Sequence, residues 1–215
     1  MDSIKQAFEN WMNELSNFSF KDYETLPDID LYMDQVVTFL DRELSIFQTS
    51  SLDKQITPSM INNYVKGEVL PSPISKKYNK EHLALIEEIC TLKQVLSIAE
   101  VKQILDSEYK DCTIKGDTFN KFNKMNNDKI QESVEKAFKQ LNVIDENDTT
   151  ALTNMALDFA MTANTYIQIS KRILYLIRAY DAYEKAKEER EKKNKKEKEK
   201  NSEEQTPESS TKENE

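Results

Sequence analysis

The chain has 215 residues and a formal net charge of −9, with 38% hydrophobic and 32% charged residues. That balance supports a folded core with part of the chain left outside it, and two glycines against five prolines point to helices joined by short connections, with no sizeable sheet. The start lacks a basic region followed by an apolar stretch, and the longest unbroken apolar run, Ile173 to Ile177, is far too short to cross a bilayer. A cytoplasmic, mainly α protein with no membrane contact is expected.

Ile4, Phe8, Trp11, Leu15 and Phe18 recur at helical spacing, so the first twenty residues predict an amphipathic helix, broken by Leu26-Pro27-Asp28. A second helix is expected from about Leu31 to Phe47, with Met33, Val36, Val37, Leu40 and Leu44 as its buried stripe; Gln48 to Asp53 reads as a loop. Thr57 is a good N-cap, Pro58 suits the first helical position, and Gly67 falls where a C-terminal cap belongs, which brackets a helix over Pro58 to Lys66. At 100° per residue its sides separate. Met60, Ile61, Tyr64 and Val65 face one way, while Ser59, Asn62, Asn63 and Lys66 form an opposite face of one hydroxyl, two amides and an ammonium, without a carboxylate.

Val69 to Ile74, with Pro71 and Pro73, predicts an extended arm turning back through Ser75 to Tyr78. Asn79 caps a helix expected over Lys80 to Leu96, striped by Leu85, Ile89, Leu92 and Leu96. Ser97 and Glu100 make a capping box that opens a short helix through Val101, Ile104 and Leu105. The pattern then weakens, Lys115-Gly116-Asp117 suggests a turn, and helical spacing returns at Ile130, Val134, Phe138 and Leu141. From Asp148 a long helix follows a heptad seam through Leu152, Ala156, Phe159, Ala163, Tyr166, Ser170, Ile173, Ile177 and Tyr180. Met155, Ile167, Leu174 and Leu176 widen the seam, so both packing within the chain and joining of two subunits remain open. Beyond Glu184 the Lys- and Glu-rich sequence would carry this helix into solvent, and 201–215 is expected to be disordered. Four regions result: an N-terminal helical brace over 1–29, a central domain over 30–106, a helical module over 107–183 and a charged tail over 184–215.

Signals for catalysis are nearly absent, and no enzyme, cofactor or metal is expected. The single histidine, His82, stands at no recognised motif spacing, Gly67 and Gly116 are isolated, and Cys90 and Cys112 do not make a metal-type pair. Cys90, beside Ile86 and Ile89, fits a small core residue. Against the acidic average, Lys54, Lys66, Lys76, Lys77 and Lys80 face only Glu68 between positions 54 and 80. A basic island in an acidic chain suits a localised anionic partner, and asparagine is suited to a bidentate contact with an adenine edge.

Thr57 to Tyr64, then Leu70-Pro71, then Lys77-Tyr78-Asn79-Lys80-Glu81-His82-Leu83, with Leu96 to Val101 following, resemble the DNA-binding half of MerR-type regulators. Leu31 to Val36 and Met60 to Tyr64 are similar to a bacterial subgroup catalogued only as a domain of unknown function and taken to regulate transcription. The resemblance covers about Asp30 to Leu105. It implies a winged helix-turn-helix, with Ser59, Asn62 and Asn63 in the recognition helix, Tyr64 at a conventional aromatic position, and Lys77 and Tyr78 in the wing. The family usually carries arginine where this chain has Ser59 and Asn62, its loop before the recognition helix is shorter, and its dimer helix follows the wing sooner.

The expected function is sequence-specific binding of double-stranded DNA by a homodimeric regulator. Ser59, Asn62, Asn63, Tyr64 and Lys66 would enter the major groove, while Lys76, Lys77, Tyr78 and Lys80 meet the backbone from the wing. Phe159, Tyr166, Ile173 and Ile177 would join the subunits. The rival is a helical interaction adaptor that keeps the fold without binding DNA. A third reading is a small-molecule sensor built on the C-terminal core.

Overall fold

The computed structural model describes residues 3–48, 56–109 and 115–203. They are mainly helical, with a two-stranded sheet, and divide into compact units 1–168 and 169–215. Both boundaries expected near 29 and 106 fall inside the first unit. Positions 204–215 and Cys112 lie outside the described residues.

Helix α1 spans Ile4–Asn17, opened by Ser3, whose hydroxyl accepts the Gln6 N–H. It ends nine residues before the predicted break, and its buried side is shifted from the predicted stripe. Met12 is fully buried, whereas Ile4 and Trp11 are exposed. Met12 packs with Ala137, Leu141 and Met155, flanked by Phe8, Phe138, Leu152 and Phe159. Trp11 lies beside that contact and donates its indole N–H to the Ile46 carbonyl at 3.3 Å.

Strand β1, Leu31–Tyr32, leads directly into helix α2, Met33–Glu43, followed by a single 3-10 turn over Ser45–Phe47. Helix α3 spans Pro58–Lys66, as its caps predict. Strand β2, Lys77–Tyr78, pairs antiparallel with β1 in the register Leu31 to Tyr78 and Tyr32 to Lys77. Helix α4 spans Lys80–Lys93. The single stripe expected for it is too narrow, since His82 through Cys90 are buried without interruption. The physical reason is enclosure, because α4 meets β2 at its start and two later helices along its length: α5, Ile98–Glu108, and α6, Lys115–Leu141. The predicted box at the start of α5 forms, with Ser97 N–H on Glu100 at 2.7 Å and Glu100 N–H on Ser97 at 3.3 Å.

Enclosure also buries two carboxyls. Glu87 accepts from Asn123 at 3.0 Å, and both oxygens of Glu88 accept from the Tyr109 hydroxyl at 2.9 Å. Removal from water raises their pKa values to about 7 and about 8, partly offset by those hydrogen bonds.

The turn predicted at Lys115-Gly116-Asp117 is instead the first turn of α6. A Cβ on Gly116 would lie 2.9 Å from Tyr23 Cδ1, so glycine here permits a close approach. The weak pattern along α6 has a second cause: much of its inward side is amide. Asn120 accepts the Tyr23 N–H at 2.6 Å, Asn123 donates to the Lys21 carbonyl at 2.8 Å, and Gln131 donates to the Ser16 carbonyl at 2.9 Å. Asn127 both accepts from and donates to the Phe20 main chain. These side chains recur every three or four residues, so one helical face serves the main chain of Ser16 to Tyr23 much as a neighbouring strand would.

Helix α7 spans Thr149–Glu203 and opens on Asp148, which accepts the Ala151 N–H at 2.8 Å. Leu152, Met155 and Phe159 pack on the Met12 cluster, which places the beginning of the heptad seam inside the chain. No described helix is long and apolar enough to cross a membrane.

Candidate nucleic-acid interface

The Thr57 hydroxyl accepts the Met60 N–H at 3.3 Å, and Pro58 occupies the first helical position of α3. Ile61 and Tyr64 point inward and are buried, while Ser59, Asn62, Asn63 and Lys66 are all exposed. Helix α3 rests on α2, so its amide-bearing face is presented from a packed base. Tyr64, expected among the contact residues, belongs to that base. It is 4% exposed, its hydroxyl is buried without a partner, and burial raises its pKa.

The helix ends as predicted, with a different residue in the left-handed position. Gly67 has φ −79°, and Glu68 takes φ 54°. Glu68 N–H bonds to the Val65 carbonyl and Val69 N–H to the Tyr64 carbonyl, both at 3.0 Å, which is the Schellman pattern. The Glu68 carboxylate stands 3.4 Å from Lys102, an exposed pair of small energetic weight.

The arm forms a tight hairpin. Ile74 and Lys77 exchange main-chain bonds at 3.1 and 2.9 Å, and Ser75 and Lys76 between them have φ 51° and 63°. Left-handed φ at both central positions is the type I′ geometry that matches strand twist. Neither is glycine, and each such residue costs about 1–2 kcal/mol. The hairpin continues into β2 and through it to β1 at the head of α2, which ties the arm to the element that supports α3.

The expected wing residues part company here. Lys76 is exposed at the tip. Lys77 lies 5.2 Å over the Tyr32 ring, and Lys80 lies 5.1 Å over the Tyr23 ring while donating to the Glu24 carbonyl at 3.2 Å. Tyr78 is buried and meets His82 edge to face at 5.6 Å, so it anchors the strand. Of the four expected subunit-joining residues, Phe159 packs within the chain, with Lys136 5.1 Å over its ring. Tyr166, Ile173 and Ile177 are exposed. Among the described residues no group of three His, Cys, Asp or Glu is arranged to hold a metal ion.

Residues 21–127 match the model of a family described as "Domain of unknown function (DUF1836)". The matched stretch runs from Lys21 through both strands and α2 to α5 into the first half of α6, and so includes Asn120, Asn123 and Asn127 with part of the segment they hold. No curated protein matches the chain, and no solved structure matches it.

Proposed function

We propose that the chain is a DNA-binding regulator of the winged helix-turn-helix type. In this reading α2 and α3 form the helix-turn-helix pair, α3 enters the major groove, and the Ile74–Lys77 hairpin is the wing. The observation that carries it is the strained hairpin tip: left-handed φ is held by Ser75 and Lys76, where glycine or asparagine would be easier. Strain retained at an exposed cation suggests that the cation is wanted there. The α3 face supports the same reading, since Asn62 and Asn63 suit base edges and Lys66 a phosphate.

Two copies are proposed to act together, because one small head contacts too little DNA to be selective and a dimer reads two half-sites. The surface proposed to join them includes Tyr166, Ile173 and Ile177 on α7. An interaction adaptor is the second reading, favoured by the same exposed apolar residues.

Salt-titrated binding of the full chain to genomic fragments tests the proposal. A regulator selects particular fragments and loses affinity steeply as salt rises. Absence of retention at low salt would exclude DNA binding and leave the adaptor.

A further inference from the structure

Lys77 has two neighbours across the sheet. It pairs with Tyr32 of β1 on one side and with Ile74 of the hairpin on the other. Residues directly opposite each other in antiparallel strands point to the same face, so Tyr32, Lys77 and Ile74 form one row, with neighbours about 5 Å apart. The opposite face turns inward, since Leu31 and Tyr78, the next pair in the register, are both buried. The row faces solvent, with Ile74 71% and Tyr32 52% exposed.

The row is held in place from both ends. Ile74 and Lys77 exchange their main-chain bonds at 3.1 and 2.9 Å, which leaves Lys77 and Tyr32 as the non-hydrogen-bonded kind of pair, whose side chains come closest. The Lys77 ammonium lies 5.2 Å over the Tyr32 ring. Tyr32 itself is tied down by Gln35, whose side-chain oxygen accepts the Tyr32 N–H at 2.9 Å. At the other end, left-handed Ser75 and Lys76 fix the turn that carries Ile74.

An apolar protein surface is a poor cover for this row, because the central ammonium would lose its hydration without a counter-ion. A sugar–phosphate strand matches it in order, since apolar deoxyribose faces alternate with phosphates along the backbone. The row holds no carboxylate, and Lys76 stands exposed beside it at the tip. Asp30 and Asp34, exposed on either side of Tyr32 in the chain, confine a phosphate to the Lys77 and Lys76 side.

We propose that Ile74 and Tyr32 bind the backbone of a DNA duplex, with their apolar surfaces against deoxyribose and the Lys77 ammonium on the phosphate between. The contact rests on the DNA-binding reading and adds to it a component that salt does not weaken, because apolar contact releases no counter-ions.

The test uses the full chain on the genomic fragment it retains best, with hydroxyl-radical cleavage as the readout, because the radical attacks deoxyribose itself. At saturating protein, wild type should protect a run of sugars that Ile74→Ala leaves open, and the affinity of that variant should fall about tenfold. The loss should be the same at every salt concentration, whereas Lys77→Gln should reduce the salt slope by about one. Tyr32→Ala should open the adjoining sugars; the Ile74→Ala comparison, made at an exposed side chain, stands even if Tyr32→Ala does not fold. If wild type retains no fragment, the DNA-binding reading fails and the contact falls with it. If wild type binds while Ile74→Ala keeps the full footprint and affinity, the contact alone is overturned. An Ile74→Ala chain that binds as wild type does but loses self-association in sedimentation also overturns it, and assigns the row to a contact between copies.

Discussion

Asn127 grips Phe20 by both main-chain groups: the Phe20 N–H donates to Asn127 Oδ1 at 2.7 Å, and Asn127 Nδ2 donates to the Phe20 carbonyl at 3.1 Å. No other side chain can replace this pair at the same length, because only an amide offers a donor and an acceptor there. Asn127→Leu should therefore lower stability by about 2–4 kcal/mol, leaving both main-chain groups unmatched. Urea unfolding should show a lower midpoint with an unchanged slope. Asn127→Asp, which keeps only the acceptor, should fall between wild type and leucine.

Gly116→Ala reverses a usual sign. Within a helix this change normally stabilises by about 1 kcal/mol, but here the new Cβ would stand 2.9 Å from Tyr23 Cδ1. The ring cannot simply swing away, being packed edge-on to Phe119 at 6.1 Å and covered by Lys80. A loss of about 1–3 kcal/mol is expected. In a Tyr23→Ala background the same substitution should turn neutral or stabilising, a coupling that a double-mutant cycle measures.

Stability should fall as pH rises from 4.5 through about 7 and about 8, as far as Glu87 and Glu88 govern it. In the folded chain both carboxyls keep their protons in that window, whereas in the unfolded chain they release them near 4.5. The folded state thus binds more protons, and the stability difference is lost as pH passes the folded values. Urea midpoints measured between pH 5 and 8.5 should show the decline, and Glu88→Gln should flatten it. A Glu88→Gln variant with the wild-type slope would remove Glu88 as the cause.

On DNA, Asn62→Ala or Asn63→Ala should cost about 1–3 kcal/mol on a preferred site and little on random duplex. Lys76→Ala should weaken both alike and reduce the salt slope by about one. Lys80→Ala should change the slope less, because its ammonium is engaged with Tyr23 and Glu24. Equal losses on both duplexes for the asparagine variants would refute base reading.

Two positions on α7 should respond oppositely. Met155→Ala, in the Met12 cluster, should lower stability by about 2–5 kcal/mol and leave the subunit count unchanged. Ile173 is 53% exposed, so Ile173→Glu should leave each subunit folded, convert dimers to monomers in sedimentation and remove the concentration dependence of the melting temperature. An Ile173→Glu variant that sediments like wild type would exclude this position from the subunit contact.

What the sequence made legible follows from where chemistry is local. Thr57, Pro58 and Gly67 bracket α3 because caps act within one turn, and Ser97 with Glu100 does the same for α5. The amide-bearing α3 face was legible for the same reason, since helical geometry alone sorts Asn62 from Ile61. The turn through Ser75 was visible from the prolines, but its left-handed φ values were not. Helix α6 was obscured because its partner is a main-chain segment, which calls for Asn120, Asn123 and Asn127 where hydrophobic periodicity looks for leucine. The burial of Glu87 and Glu88 was hidden too, because enclosure of α4 depends on α5 and α6, beyond any local window. Tyr64 and Tyr78 lie inside because both stand on elements whose opposite sides are exposed.

The meeting of Met12 with Leu141 in one cluster also orders events during synthesis. Translation proceeds at about 5–20 residues per second, so the stretch between them takes on the order of 10 s to make. Through that interval a nascent α1 carries Met12 and Phe8 without the later residues of their cluster. Of the described helices in that cluster, α1 is the one whose apolar face stays uncovered longest while the rest of the chain is made.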